Sequence, residues 1–247
     1  MVPEHQPIPG AKPVIILGMH RSGTSCLTGC LEENGLYLGD VSQADPHNRK
    51  GNRENKILRT INEDVLELSG AAWDRPPKQL KWNNALRARR DEYISGFDGQ
   101  RMWGFKDPRV VLTLPFWLEG LSDVEFVGTF RHPAIVSASL ARRRGLTAEI
   151  PQIELWKTYN RIMLNLLKQH QFSAVCFDWP SHMYIQAVSE ISIGLGLKVT
   201  TGKPLQFFDE RLRTAATIEE SHAPEDIEAL SIYNDLLARS YRPRGDN

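Results

Sequence analysis

One stretch near the amino end decides the fold: Val14-Ile15-Ile16-Leu17-Gly18-Met19-His20-Arg21-Ser22-Gly23-Thr24-Ser25-Cys26-Leu27. Its four leading apolar residues are typical of a strand buried inside a parallel sheet. Gly18 and Gly23 then bracket a loop in which backbone N–H groups can converge on an anion. Thr24 and Ser25 can cap the following helix, whose positive N-terminus favours phosphate. The stretch therefore predicts a strand, a phosphate-binding loop and a helix.

The positively charged residue of this loop does not stand at the position of the lysine in nucleoside triphosphatases. The spacing from Gly18 to Gly23 matches the first part of a Walker A loop, which continues with Lys and then Ser or Thr to hold the terminal phosphates and magnesium. Thr24 stands in the place of that lysine, and the nearest cation is Arg21, inside the loop. The sequence thus predicts a phosphate cradle without the usual magnesium-binding residues.

The bulk properties exclude several classes of protein. Thirty basic and thirty acidic residues cancel, so no overall field favours nucleic acid or a membrane surface. No apolar run is long enough to cross a bilayer, and residues 1–12 form a polar tail without a signal-peptide core. We expect residues 13–247 to form a single cytoplasmic domain. The three cysteines, which fit small thiols in a reducing compartment, are Cys26, Cys30 and Cys176.

Alternating strand and helix patterns follow the first stretch. Apolar periodicity predicts helices over 24–34, 56–68, 86–94, 134–144, 152–170 and 223–241, and another that ends near 195. Short strands are predicted before Lys106, over 123–130 and over 173–178. Together with the phosphate loop, they predict an α/β fold of the P-loop type, in which a central, mainly parallel sheet lies between layers of helices.

Two further charged motifs come at predicted strand ends, where open α/β sheets face the ligand crevice. Lys106-Asp107-Pro108-Arg109 forms a turn forced by its proline, and an ion pair of Asp107 with Lys106 or Arg109 would also suit this turn structurally. Arg131-His132-Pro133 ends the next strand, and Ser139 lies eight residues after Arg131. An arginine fork and a hydroxyl two turns into the next helix can grip one phosphate. Ser137 is a weaker candidate for that hydroxyl.

These motifs resemble those of the sulfotransferase family. Arg21-Ser22-Gly23-Thr24-Ser25 fits the family loop [Arg or Lys]-Ser-Gly-Thr-[Ser or Thr], and the other two signatures follow in the family order. Gly51 and Glu54-Asn55 partly match a segment of a bacterial-type subgroup. The resemblance covers residues 13–213, although it is specific only at the motifs.

The resemblance implies a nucleotide donor, 3′-phosphoadenylyl sulfate (PAPS), and the product adenosine 3′,5′-bisphosphate, with no metal. The loop residues that it assigns to the 5′-phosphosulfate are Arg21, Ser22, Gly23, Thr24 and Ser25. It assigns Arg131 and Ser139 to the 3′-phosphate. The implied chemistry is in-line transfer of a sulfuryl group to an acceptor hydroxyl or amine.

A sulfuryl group carries less charge than a phosphoryl group, so side-chain cations and N–H groups can stabilise its transfer. Arg21, the loop amides and Lys106 are the candidates for this role. An acceptor hydroxyl also needs a base within hydrogen-bond distance. Glu54 is the first choice, since some relatives place a glutamate on this segment, but it equally suits a capping carboxylate at a helix start. The alternatives for the base are His20, His47 and Asp107.

The acceptor is left open by the sequence. Sugars, lipids, small phenols and peptides all remain candidates, and the irregular segments 36–56 and 70–83 are expected to select among them. Two other functional classes also remain: a P-loop kinase with a degenerate loop, which would need magnesium and a triphosphate, and a nucleotide-binding module that transfers nothing.

Overall fold

The computed structural model describes residues 12–42, 50–142, 150–199, 205–213 and 226–244. In these ranges short parallel strands are joined by helices: three lie between the first two strands, one between the second and third, and two between the third and fourth. The strands are β1 (Val14–Leu17), β2 (Gly104–Lys106), β3 (Glu125–Phe130) and β4 (Ser173–Cys176). The helices are α1 (Thr24–Glu33), α2 (Lys56–Leu68), α3 (Asn84–Ser95), α4 (Val110–Gly120), α5 (Pro133–Ala141), α6 (Gln152–His170), α7 (Ser181–Gly194) and α8 (Ile227–Arg239).

The four described strands form one parallel sheet in the order β2-β1-β3-β4. All four residues of β1 are fully buried, because this strand has a neighbour on each side and helices over the sheet. Ile15 pairs with Phe105 of β2 and with Phe126 of β3. The predicted α/β fold with a parallel sheet flanked by helices is confirmed. This order brings the carboxyl end of β1 between those of β2 and β3.

Several helices begin at side chains that accept hydrogen bonds from the first-turn N–H groups. Asn55 accepts from Ile57 and Leu58 at the start of α2, which is a helix bounded as predicted. Asn83 and Asp226 do the same for α3 and α8. None of the described helices combines the length and the apolar character that a bilayer span requires.

Helix α4 was not predicted from the sequence. Pro115 lies inside it and removes a backbone donor, a feature that normally argues against a helix. The helix is nevertheless formed, because it buries Phe116 and Trp117 completely and packs against α2, α3 and α6. Burial on nearly all sides also removes the amphipathic period by which a surface helix is recognised.

Glu119, at the end of α4, ties this helix to α3. Its carboxylate accepts hydrogen bonds from Arg87 at 2.9 Å, from Arg90 at 2.9 Å and from the Trp82 indole at 3.0 Å. The hydrogen bond from Arg87, together with those from Arg90 and Trp82, lowers the pKa of Glu119 from 4.5 to about 2. Folding therefore favours the ionised form of the Glu119 carboxylate.

This lowered pKa predicts a pH-dependent stability. The folded pKa lies below the unfolded one, so the contribution of Glu119 is fully present above pH 4.5 and is lost as the pH falls towards 2. We expect Glu119→Gln to unfold at a lower temperature than the wild type at pH 7. The difference should shrink between pH 4.5 and 2 in thermal unfolding followed by circular dichroism. A difference that stays constant over this range would contradict the assignment.

Candidate functional site

The loop between β1 and α1 contains residues with positive φ angles, which favour glycine. Arg21 and Gly23 both have positive φ, at 67° and 84°. A Cβ atom on Gly23 would lie 2.3 Å from the Phe177 ring, so only glycine fits here without displacing that ring. The Thr129 hydroxyl donates to the Ser22 carbonyl at 2.9 Å and fixes the loop to β3. The loop is thus held between β3 and the residue that follows β4.

The N-terminus of α1 is not capped by a side chain. The capping position belongs to Gly23, and no side-chain cap is formed there, so the prediction that Thr24 and Ser25 cap this helix is wrong. Thr24 is instead the first helical residue and is buried. The Ser22 hydroxyl is buried too and has no hydrogen-bond partner among the described residues. First-turn amides and a buried hydroxyl are what a phosphate or sulfate group can bind.

Arg21 brings the loop into contact with α5. Its Nε donates to the Ser139 hydroxyl at 2.9 Å, across 118 positions of sequence. Two predicted donor-binding residues from separate motifs therefore lie together. The Ser137 hydroxyl is buried without a partner in the described chain.

Arg131, at the end of β3, is held by a residue that the sequence did not single out for the site. Its Nε donates to Asp178 at 2.9 Å, and the other carboxylate oxygen accepts from the His132 N–H at 2.7 Å. The guanidinium also stacks over Phe177, with 5.3 Å to the ring centroid. Asp178 thereby orients Arg131. The sequence feature that could have indicated this role is its position two residues after β4, at the same edge of the sheet as Arg131.

Lys106 and Glu54 form an ion pair next to the loop. The Lys106 ammonium, whose side chain is completely buried, lies 2.9 Å from the Glu54 carboxylate and 3.4 Å from the Ser25 hydroxyl. The adjacent Asn55 caps α2, so the capping role considered for Glu54 belongs to its neighbour. Glu54 is left as a partly exposed carboxylate beside the phosphate loop.

The Asp107 carboxylate, next to Lys106 in the chain, already accepts hydrogen bonds from Arg109. It accepts from the Arg109 N–H at 2.8 Å and from the Arg109 guanidinium at 3.1 Å. Burial raises the pKa of Asp107; the charge of Arg109 opposes this shift, and the negative charge of Glu54 adds to it. Of the two ion pairs considered for this turn, the structure forms the one between Asp107 and Arg109. The Asp107 side chain is also completely buried, whereas that of Glu54 is partly exposed, so Glu54 is the more accessible of these two candidate bases.

His20 lies in an aromatic cluster beside the loop. Its ring is 4.6 Å from that of Trp73 and 6.2 Å from that of Tyr159, between ring centroids. The Tyr159 hydroxyl donates to the Trp73 carbonyl at 2.8 Å, which fixes the turn that carries Trp73. These contacts give His20 a packing role. His47, the other histidine proposed as a base, lies outside the described residues.

Arg213 adds a further cation near the loop. Its guanidinium stacks on three rings, those of Phe177, Tyr184 and Phe208, at 4.8–5.3 Å from their centroids. The Phe177 ring also packs against the Arg131 guanidinium and lies next to the Gly23 backbone. Arg213 ends the segment 205–213 that was included in the family resemblance, but its position at the site could not be predicted from that match.

The assembled site is a cationic cradle with one carboxylate at its margin. Arg21, Arg131, Lys106 and the amides of α1 can bind an anion, and Glu54 can accept a proton. Among the residues that the structure describes, no group of three or more metal-ligating side chains was found.

The fold has solved counterparts, although no protein-family model and no curated protein matches the sequence. The sulfotransferase domain of the olefin synthase from Synechococcus PCC 7002 is similar with a TM-score of 0.53 and 17% identity, over 94% of this chain and 98% of that one. A sulfotransferase from Alicyclobacillus acidocaldarius has a TM-score of 0.50 and 15% identity, over 93% and 97%. This chain has the sulfotransferase fold.

The likeness to the sulfotransferase fold extends over nearly the whole chain. At 15–17% identity this likeness establishes the fold alone.

Proposed function

We propose that this protein is a sulfotransferase that moves a sulfuryl group from PAPS to a hydroxyl or amine of an acceptor, in line and without a metal. The observation that carries the proposal is the contact between Arg21 and Ser139. It joins the phosphate loop to the β3–α5 motif in one cradle, as a donor with phosphates at both its 3′ and 5′ positions requires. The sulfotransferase fold supports the same reading.

Each group of the cradle has a role in this proposal. Arg21, Ser22, Gly23, Thr24 and Ser25 bind the 5′-phosphosulfate through the arginine, the hydroxyls and the first-turn amides of α1.

The 3′-phosphate binds at the other end of the cradle. Arg131 presents its fork in an orientation fixed by Asp178, and Ser139 adds a hydroxyl. Arg213 is a further cation on the same Phe177 ring.

The transfer step follows from the placement of Lys106 and Glu54. The acceptor oxygen forms a bond to sulfur while the bond from sulfur to the bridging phosphate oxygen breaks. Lys106 and Arg21 stabilise the charge that builds on that oxygen, and adenosine 3′,5′-bisphosphate leaves. Glu54 takes the proton of the acceptor. Lys106 lies within contact distance of Glu54 and Ser25, so one ammonium lies between the base and the loop.

Calorimetric titration with adenosine 3′,5′-bisphosphate tests the donor site. We expect metal-independent binding by the wild type and a loss of about 10- to 100-fold in affinity for Arg131→Ala, since hydrogen bonds to charged groups contribute about 1.5–3 kcal/mol. Arg59→Ala, which removes an exposed arginine beside Glu63, is the matched control and should bind as the wild type does.

ATP with magnesium is the comparison ligand in that titration. A preference for ATP with magnesium would favour the kinase and overturn the proposal. Binding of the bisphosphate without transfer to any member of a panel of sugars, phenols, lipids and peptides would favour the nucleotide-binding module.

A further inference from the structure

Two thiols lie one turn apart on α1, directly behind the phosphate loop. Cys26 is the third residue of the helix and is partly exposed, whereas Cys30 is fully buried. Residues four apart on a helix are neighbours on one face. The sequence favoured small inert thiols in a reducing compartment, and the structure adds a charged environment to one of them.

The surroundings of Cys26 favour its thiolate. A hydrogen bond with Cys30 lowers the pKa of the Cys26 thiol; burial opposes this shift, and Tyr184 and the positive charges of Arg213 and Lys50 reinforce it. The N-terminus of α1, three residues away, acts in the same direction.

Arg213 is a poorly compensated cation in this environment. Its Nη1 donates to the Trp179 carbonyl at 2.8 Å, but Nε and Nη2 are buried without a hydrogen-bond partner in the described part of the chain. Aromatic rings surround the guanidinium. A positive charge that is largely shielded from solvent and has no carboxylate partner among the described residues stabilises a nearby thiolate more than a solvated one would.

We infer that Cys26 is a site of oxidation by hydroperoxides and that Cys30 resolves it to a Cys26–Cys30 disulfide. The Cys26 thiolate attacks one peroxide oxygen, the O–O bond breaks, and a sulfenic acid and an alkoxide or hydroxide result. The Cys30 sulfur then attacks the Cys26 sulfur. The S–S bond forms, and the sulfenic oxygen leaves as water with the proton of the Cys30 thiol.

Cys30 suits the second step. Its hydrogen bond with Cys26, its burial and the negative charge of Cys26 raise the pKa of the Cys30 thiol. Oxidation of Cys26 to the sulfenic acid removes that charge, so Cys30 ionises more readily once Cys26 has reacted. The same burial protects Cys30 from reacting first.

The disulfide would alter the first turn of α1. Cβ atoms four residues apart on a helix are about 5–6 Å apart, and a disulfide needs about 3.5–4.5 Å. The turn that closes this gap carries the amides assigned to the donor. The inference rests on the proposed function only in this respect: oxidation is expected to weaken binding of adenosine 3′,5′-bisphosphate.

Peptide mass spectrometry of the full chain after hydrogen peroxide treatment tests the chemistry. Residues 22–49 form one tryptic peptide with both thiols, so a loss of two hydrogens there marks the disulfide. In Cys30→Ser, dimedone should trap Cys26. Cys176, where burial raises the pKa to about 11, is the internal control and should react at least about tenfold more slowly. Equal labelling of Cys176, or sulfinic acid at Cys26 in the wild type without the disulfide, would overturn the inference.

Titration of the oxidised protein with the bisphosphate tests the coupling. We expect at least a tenfold loss of affinity that dithiothreitol reverses, and no loss in peroxide-treated Cys26→Ser. Unchanged affinity of the disulfide form would overturn the coupling. If the reduced wild type fails to bind the bisphosphate, the proposed function fails, while the mass spectrometry still decides whether the thiol pair forms.

Discussion

Replacing Glu54 by Gln is expected to lower turnover by about 10²- to 10⁴-fold, the usual contribution of a general base. The amide keeps the size of the side chain and an oxygen for Lys106, but it cannot take the acceptor proton. The measurement is transfer from labelled PAPS to the best acceptor of the panel. Affinity for adenosine 3′,5′-bisphosphate should stay within about threefold of the wild type, because Glu54 does not bind the donor.

His20→Gln is the matched comparison for this test. If His20 only packs against Trp73 and Tyr159, its replacement should lower the melting temperature more than the turnover of the folded enzyme. The opposite pattern, a large loss of turnover in His20→Gln and little in Glu54→Gln, would move the base from Glu54 to His20.

Replacing Gly23 by Ala is expected to lower the free energy of unfolding by about 2–5 kcal/mol. The positive φ of 84° costs an alanine about 1–2 kcal/mol. Its Cβ would also lie 2.3 Å from the Phe177 ring, and overpacking of this kind costs about 1–3 kcal/mol. Urea unfolding gives the measurement.

Gly35→Ala separates the two causes. Gly35 has a φ of 99° but no atom within 4 Å of its added Cβ, so we expect it to lose only the backbone part, about 1–2 kcal/mol. Gly23→Ala should also cost less in a Phe177→Ala background. Equal losses for Gly23→Ala and Gly35→Ala would show that the Phe177 ring moves aside without cost.

Some of the elements that carry these residues could be predicted from the sequence, and others could not. The strand β1, its loop and α1 are contiguous, so the apolar run and the two glycines were sufficient to predict them. Helix α2 was predictable for the same reason, since its apolar period is local and Asn55 caps it. Helix α4 was not, because its burial and its internal proline conceal a period that only its packing reveals.

The donor-site residues were predicted as separate motifs, and the sequence left their mutual distances open. It could not say whether Asp107 pairs with Lys106 or Arg109, nor that Lys106 meets Glu54 across 52 positions. Asp178, which orients Arg131, was predicted only as the acidic end of a strand over 173–178, whereas β4 ends at Cys176.

By itself, then, the sequence determined to within about two residues where the strands end and which charges lie there, because strand burial and turn residues act within a few positions. The tertiary structure decided which of those charges meet. The strand order β2-β1-β3-β4 sets the loop after β1 between the ends of β2 and β3, and this places Lys106 beside Ser25 and Ser139 beside Arg21. Such contacts depend on the alignment of distant strands, a cooperative property of the whole sheet that no local pattern encodes.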